Sequence, residues 1–126
     1  MESIKTNREH YECLKMQPID LILAANLSFI QGNIIKYISR YKNKDGINDI
    51  KKCIHYAQIA HEHRHIGTKI RMLQIGYMYC KANNVSSLVK KIIIATMQDD
   101  YYHVAKLCRK LIKEEYPNYS VNFNIY

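Results

Sequence analysis

The sequence predicts an all-α protein, a compact bundle of about five to six helices with a short irregular C-terminal tail. Apolar residues recur at three- and four-residue steps through most of the chain, which is the spacing of a buried helical stripe. The 126 residues include only four Gly and two Pro, too few for the many tight turns of a hairpin-rich β fold. With 48% hydrophobic residues, the chain has the size and apolar content of a single domain spanning residues 1–126.

Charge and cysteine content restrict the class of partner and site. A formal net charge of +8 favours an anionic partner such as a nucleotide, a nucleic acid or an acidic protein. The four cysteines lie far apart with no CxxC pair, so we expect reduced core residues rather than a metal site. They are Cys13, Cys53, Cys80 and Cys108. The polar start and the lack of a long apolar run predict no signal peptide, no membrane span and a cytoplasmic protein.

Residues 1–32 are predicted to contain one helix. Residues 1–17 are polar and expected to be irregular. A helix is predicted from Pro18 to Gln31, with Pro in its first turn and a stripe of apolar residues. Gly32 is expected to end that helix in a left-handed conformation and Asn33 to cap the next one. The apolar stripe consists of Ile19, Ile22, Leu23, Leu27 and Ile30.

Two helices with facing polar stripes follow, and they organise the rest of the chain. The first runs from Asn33 to about Lys42. A turn at residues 43–46 leads into the second, which runs from about Ile47 to His65. Their apolar stripes are Ile34, Ile35, Ile38 and Tyr41, and then Ile47, Ile50, Ile54 and Ala57. Their polar stripes are Asn33, Lys36, Arg40 and Lys44, and then Asp49, Lys52 and Tyr56.

Three further helices are predicted in residues 61–126. The first follows Gly67 and ends near residues 83–84. The second starts close to Ser86 or Ser87, and the third begins after Asp99 and Asp100 and is closed by Pro117. The final residues are rich in tyrosine and asparagine, lack helical spacing and are expected to form a tail or a short edge strand.

The facing polar stripes predict a site for a phosphate-bearing ligand. The Asn33 helix start would offer free N–H groups, while Lys36 and Arg40, one turn apart, would grip one phosphate group. Asp49 would hold Mg²⁺, orient a cation, or pair with Arg40. In the competing interpretation, Arg40 and Asp49 form an ion pair and the lysines are simply solvated.

These residues also carry a resemblance to a known family. The shared positions are His10-Tyr11, Pro18-Ile19-Asp20, Gly32-Asn33-x-x-Lys36-Tyr37-x-x-Arg40, Lys44-x-Gly46-x-x-Asp49-x-x-Lys52, and Tyr56. Over about residues 10–60 the chain resembles a family of small phage-borne proteins, mainly of unknown function, that carries a nucleotide-kinase label. The resemblance implies a deoxynucleoside monophosphate kinase that lacks a P-loop, uses ATP and Mg²⁺ and, if phage-encoded, works in the host cytoplasm.

By resemblance, the family's shared polar positions fall on His10, Asn33, Lys36, Arg40, Lys44, Asp49 and Lys52. From these and the neighbouring tyrosines we predict roles. Lys36, Arg40 and Asp49 would be catalytic, with no protein metal ligand assigned. The ligand-binding residues would be His10, Asn33, Tyr37, Lys44, Lys52 and Tyr56, with Tyr37 or Tyr56 stacking on a base.

Other functions remain open at this point. A non-enzymatic phage protein would sequester a nucleotide or engage a host or phage protein, and leftover helical stripes predict a homo-oligomer. A nucleic-acid-binding accessory protein is less favoured, because the interleaved lysines and tyrosines of the distal half match no named reader motif. The histidine-rich segment at residues 55–65 favours a helix C-terminus over a metal site.

Overall fold

The computed structural model describes residues 14–67 and 72–119, which form six α-helices and one short 3-10 turn. The helices are α1 Pro18–Ala24, α2 Phe29–Arg40, α3 Ile47–Glu62, α4 Leu73–Ala82, α5 Ser87–Met97 and α6 Tyr101–Glu115. The 3-10 turn, Tyr41–Asn43, directly follows α2. No strand occurs in these two ranges, so the all-α prediction is confirmed. The expectations for His10, Cys13 and residues 120–126 fall outside the described residues.

The start of the chain differs from the prediction. The single helix predicted from Pro18 to Gln31 is two helices, because α1 ends at Ala24 and Asn26 takes a left-handed conformation with φ of 52°. Ser28 then begins α2 by accepting a hydrogen bond from the Gln31 backbone N–H at 3.2 Å. Such a cap stabilises a helix by about 1 kcal/mol.

The predicted Gly32–Asn33 joint is therefore wrong. Both residues lie inside α2, where Gly32 is buried and an added Cβ would meet the Ile22 side chain at 3.4 Å. The lack of a side chain at Gly32 brings α1 close to α2, so this glycine serves packing rather than helix termination. Two members of the predicted stripe, Ile19 and Leu23, are 53% and 73% exposed instead of buried.

The later elements follow the prediction closely. The apolar residues of α2 and the following turn, Ile34, Ile35, Ile38 and Tyr41, are all buried. Helix α3 begins at Ile47 as expected, after Gly46 with φ of +52°, a conformation that L side chains rarely adopt. Ser86 and Asp100 cap α5 and α6 through their side chains, as their types predict.

The core lies among α2, α3, α5 and α6. Helix α3 packs against both α2 and α6, and α5 packs against α2, α4 and α6. Every residue of α5 from Ile92 to Met97 is buried. Within the described ranges, none of the helices has the length and apolar character that crossing a bilayer requires.

Three cysteines lie in this core as free thiols, as predicted. The Cys53 thiol on α3 donates to the Ile34 carbonyl oxygen at 3.5 Å, and Cys108 on α6 lies beside it. Burial raises the pKa of the Cys53 thiol well above its ordinary value. Burial likewise raises the pKa of Cys80 to about 11. These thiols are packing residues, and Cys53 and Cys108 lie where α3 meets α6.

The C-terminal end of α6 braces the connection between α2 and α3. The Tyr41 hydroxyl donates to Glu115 at 2.8 Å, and a Cβ on Gly46 would stand 3.0 Å from the Tyr116 hydroxyl. Further along α3, the Lys51 ammonium donates to the Tyr119 hydroxyl at 2.9 Å. The polar face of α2 and α3 is therefore held in place from the far end of the sequence.

Candidate ligand-binding surface

Arg40 and Asp49 join α2 to α3 by a buried ion pair. Arg40 Nε donates to Asp49 Oδ2 and Arg40 Nη2 donates to Asp49 Oδ1, each at 3.2 Å. Asp49 is fully buried and Arg40 is 7% exposed. The bidentate geometry matches the planar fork of the guanidinium to the carboxylate. Asp49 Oδ2 also accepts from the Asp45 backbone N–H at 3.3 Å, which holds the turn before α3.

A second set of contacts surrounds the ring of Tyr37. Lys36 Nζ lies 4.5 Å, Arg40 Cζ 4.7 Å and Lys52 Nζ 4.9 Å from the centroid of this ring. The Tyr56 ring is stacked beside it, with the centroids 6.1 Å apart and the planes 15° apart. We call these five residues, Lys36, Tyr37, Arg40, Lys52 and Tyr56, the Tyr37 cluster.

The cations of the Tyr37 cluster differ in how they are neutralised. Arg40 is paired with Asp49, and Lys52 Nζ lies 3.7 Å from oxygens of both Asp45 and Asp49. In the parts of the chain that the structure describes, no carboxylate oxygen lies within 4.0 Å of Lys36 Nζ. Attraction to the face of an aromatic ring holds Lys36 in place, worth about 0.5–1 kcal/mol at an exposed site.

The aromatic part of this surface is larger than the sequence analysis anticipated. Phe29, at the start of α2, meets the ring of Tyr56 edge to face, with centroids 6.2 Å apart, and is 77% exposed. His55 also contacts the Tyr56 ring, at 5.9 Å between centroids. The signal for Phe29 was present in the spacing, since positions 29, 33, 36, 37 and 40 share one face of a helix. It was missed because Phe29 was assigned to the preceding helix.

The remaining candidate residues are more scattered. Asn33 lies in the second turn of α2 and donates to the Phe29 carbonyl oxygen at 2.9 Å, so it does not start a helix or offer its N–H groups to an anion. Lys44 is exposed in the turn before α3, close in sequence to Asp45. The structure thus brings together Lys36, Tyr37, Arg40, Asp49, Lys52 and Tyr56 from the predicted set.

The histidine-rich end of α3 lies beside the start of α2. His65 Nε2 is 3.2 Å from the Ser28 hydroxyl, and His61 contacts the ring of Tyr102. Among residues 14–67 and 72–119, no three His, Cys, Asp or Glu side chains are grouped closely enough to hold a metal ion. His61 and His63 fall in the last turn of α3 and its cap, where the dipole favours partly positive groups.

Comparison with known proteins gives one result. Residues 5–58 match the family DUF3310, described as proteins of unknown function. This match ends within α3 and contains every member of the Tyr37 cluster. It agrees with the resemblance to a small family of unknown function, while the family description carries no kinase label. No curated protein and no solved structure matches the chain.

Proposed function

We propose that this chain binds a nucleotide or a closely related phosphate-bearing ligand on the Tyr37 cluster, and that it does so without phosphoryl transfer. The observation that carries the proposal is the set of three cationic groups within 4.9 Å of the Tyr37 ring centroid. Asp45 and Asp49 lie beside Arg40 and Lys52, but within the described residues no carboxylate oxygen lies within 4.0 Å of Lys36 Nζ, so a phosphate group would be stabilised there.

The different surroundings of the three cations support a binding site. Arg40 is fixed by its buried pair with Asp49 and holds its guanidinium against the ring of Tyr37. Lys36 and Lys52 are half-buried and rotate on flexible stems, so their ammonium groups can turn from the ring towards a phosphate. The exposed ring of Phe29 and the half-buried ring of Tyr56 provide apolar surface for a base.

The carboxylates favour binding over catalysis. Phosphoryl transfer depends on a metal-bound phosphate and a group that positions the nucleophile. Both oxygens of Asp49 accept hydrogen bonds from Arg40, and its side chain has no exposed surface. Asp45 is exposed but lies 3.7 Å from Lys52. Because Asp49 and Asp45 already pair with cations of the cluster, they stabilise the fold and these cations rather than a reacting group.

Thermal shift measurements with nucleoside mono- and triphosphates, with and without Mg²⁺, test this proposal. Ligand bound to the folded state raises Tm by mass action. We expect a rise for the wild type and for the control Lys91→Ala, which removes an exposed charge on α5, and no rise for Lys36→Ala. Lys36 is the better target than Arg40, because truncating Arg40 would leave Asp49 buried and unpaired.

An assay for nucleoside diphosphate formation from a deoxynucleoside monophosphate and ATP runs alongside. Binding without product supports the proposal. Product formed by the wild type and abolished by Lys36→Ala would establish a kinase instead. If none of the nucleotides raises Tm, the proposal of a nucleotide site on this surface is rejected.

A further inference from the structure

We infer that the exposed side of α6 is a docking surface for the phosphate backbone of a nucleic-acid duplex. The residues concerned are Lys106, Arg109, Lys110 and Lys113, which we call the α6 basic face. Two observations carry this inference: the cations line up along one side of a single helix, and within the described residues no carboxylate neutralises the three lysines. These residues are distinct from the Tyr37 cluster, so this docking surface and the nucleotide site can be tested separately.

The α6 basic face follows from the helical period. The opposite side of α6 is buried in the core and carries Val104, Ala105, Cys108, Leu111 and Ile112. On the outer side Lys106, Lys110 and Lys113 are exposed, and Arg109 is half-buried. Neighbouring members of the face are three or four residues apart in sequence, so they are adjacent on the helix surface. From Lys106 to Lys113 the face spans about 10 Å along the helix axis.

The charge of the face is not balanced by acidic side chains. In the two described ranges, no carboxylate oxygen lies within 4.0 Å of the Nζ atom of Lys106, Lys110 or Lys113. Like charges three and four residues apart destabilise a helix. The helix dipole favours a cation in the last turn, which accounts for Lys113 but not for Lys106. Binding of a polyanion would relieve the repulsion among these lysines.

The composition of the face indicates which class of polyanion it suits. On α6, Tyr102 is the one large apolar side chain that is exposed, at 49%, and its ring contacts His61. A protein interface has an apolar centre in which lysine is depleted, and a helix that lies on a membrane has an apolar face beside its cations. The α6 basic face lacks such an apolar area. Lysine and arginine contacts to phosphate oxygens, by contrast, are the usual means of binding a nucleic-acid backbone without reading its sequence.

A duplex suits this face better than a single strand. A duplex carries about one charge per 1.7 Å of its axis, so several phosphates lie within the length of the face. Single-strand binding without sequence preference uses aromatic rings on which bases stack, and the exposed ring on α6, Tyr102, is already in contact with His61. DNA and RNA duplexes share the phosphate chemistry and differ by the ribose 2′-hydroxyl.

Fluorescence anisotropy with a labelled DNA duplex of about 20 base pairs, at about 50 to 200 mM salt, tests the inference. The unlabelled competitors are one of its single strands, an RNA duplex of the same sequence and poly-L-glutamate. The face variant combines Lys106→Gln, Lys110→Gln and Lys113→Gln. The control variant removes as many exposed charges from other parts of the chain, and combines Lys15→Gln, Lys42→Gln and Lys81→Gln. A charge-preserving variant replaces the three lysines of the face with arginine.

We expect duplex affinity to fall steeply as salt rises. The face variant should bind at least about tenfold more weakly at about 50 mM salt. Its slope of log affinity against log salt should be shallower by about 2 to 3, because each lost phosphate contact removes about 0.9 from that slope. The control variant should lose less than about threefold, since its charges act only at long range. The arginine variant should bind like the wild type.

Three further readings accompany these. The single strand and poly-L-glutamate should compete more weakly than either duplex, and the tighter of the two duplexes identifies the preferred sugar. Circular dichroism should show the same helix content in all variants, because removing like charges does not disfavour α6. The face variant should keep the nucleotide-dependent rise in Tm of the wild type, since it leaves the Tyr37 cluster intact.

Equal losses of affinity in the face and control variants would mean that duplex binding reflects net charge alone, and would overturn the inference. An unchanged salt slope in the face variant, tighter binding of the single strand, equal competition by poly-L-glutamate, or no duplex binding at about 50 mM salt would overturn it as well. Each of these results leaves the thermal shift test of the nucleotide site unaffected. Loss of the nucleotide-dependent rise in Tm in a folded face variant would contradict the separation of the two surfaces.

Discussion

The helix pair α2–α3 and the helices α4–α6 use charge in different ways. In the pair, a fully buried carboxylate holds Arg40 against the ring of Tyr37, and Lys36 and Lys52 gather at the same ring. In the second region the lysines are exposed and dispersed, and Lys90 over the Tyr77 ring at 5.3 Å is an isolated contact. The difference is that cations gather around one ring in the first region, whereas in the second they stay apart on the surface.

The family match follows the same division, since it ends at residue 58, before α4 begins. The two regions nevertheless share one core. Helix α3 packs against α6 as well as α2, and Glu115 and Tyr116 contact the turn between α2 and α3. The matched segment therefore contains the candidate site, but α6, which helps to bury α3, lies outside it.

The largest expected effect comes from removing helices α4–α6. A chain of residues 1–67 should show no cooperative urea unfolding, because Cys53, Ile54 and Ala57 would lose the cover that makes α3 a core helix. Circular dichroism followed through a urea titration, with the full chain as the control, measures this. A cooperative transition in the short chain would show that the matched region folds independently.

A large effect is also expected from breaking the buried ion pair. Asp49→Asn leaves the Arg40 charge uncompensated at a buried position and should lower the free energy of unfolding by about 3–5 kcal/mol. The matched control is Asp45→Asn, four residues earlier and exposed, whose pair with Lys52 should be worth less than about 1 kcal/mol. Chemical denaturation of both variants measures the difference. Similar stabilities would mean that the buried pair is not what joins α2 to α3.

A smaller expected effect depends on pH. It compares a contact between the two regions, Tyr41 with Glu115, and a contact within the second region, Tyr101 with Asp99. Burial and the hydrogen bond to Glu115 raise the pKa of Tyr41, and burial and the hydrogen bond to Asp99 raise the pKa of Tyr101. Both groups stay protonated in the folded state. Above about pH 10 the unfolded chain binds fewer protons, so the free energy of unfolding falls as pH rises.

Each tyrosine should contribute a slope of up to about 1.4 kcal/mol per pH unit above pH 10, and none below it. Urea titrations at several pH values, comparing the wild type with Tyr41→Phe and Tyr101→Phe, isolate these contributions from those of lysine. The phenylalanine variants should show a shallower decline. An identical decline in all three proteins would contradict the assigned contacts.

Helix boundaries that depend on local interactions agree best with the prediction. Helices α3 to α6 begin and end close to the predicted positions, because Ser86 and Asp100 are local caps and the apolar stripes have a clear helical period. The first helix was predicted wrongly because Gly32 is a frequent helix terminator, whereas here it is a packing residue beneath Ile22. The boundary between α1 and α2 is instead set by the left-handed turn at Asn26 and by the Ser28–Gln31 capping box.

By itself, the sequence determined the helical class, the apolar stripes, the reduced core cysteines and the set of cations on α2 and α3, because these depend on residue type and spacing. Only the tertiary structure decided how that set is used. Spacing cannot show whether an Arg and an Asp nine residues apart are solvated or buried together. In the folded chain Asp49 is fully buried and accepts hydrogen bonds from Arg40 and from the Asp45 backbone N–H. The same packing placed Phe29 beside Tyr56 and three cationic groups around one ring, which residue order alone does not reveal.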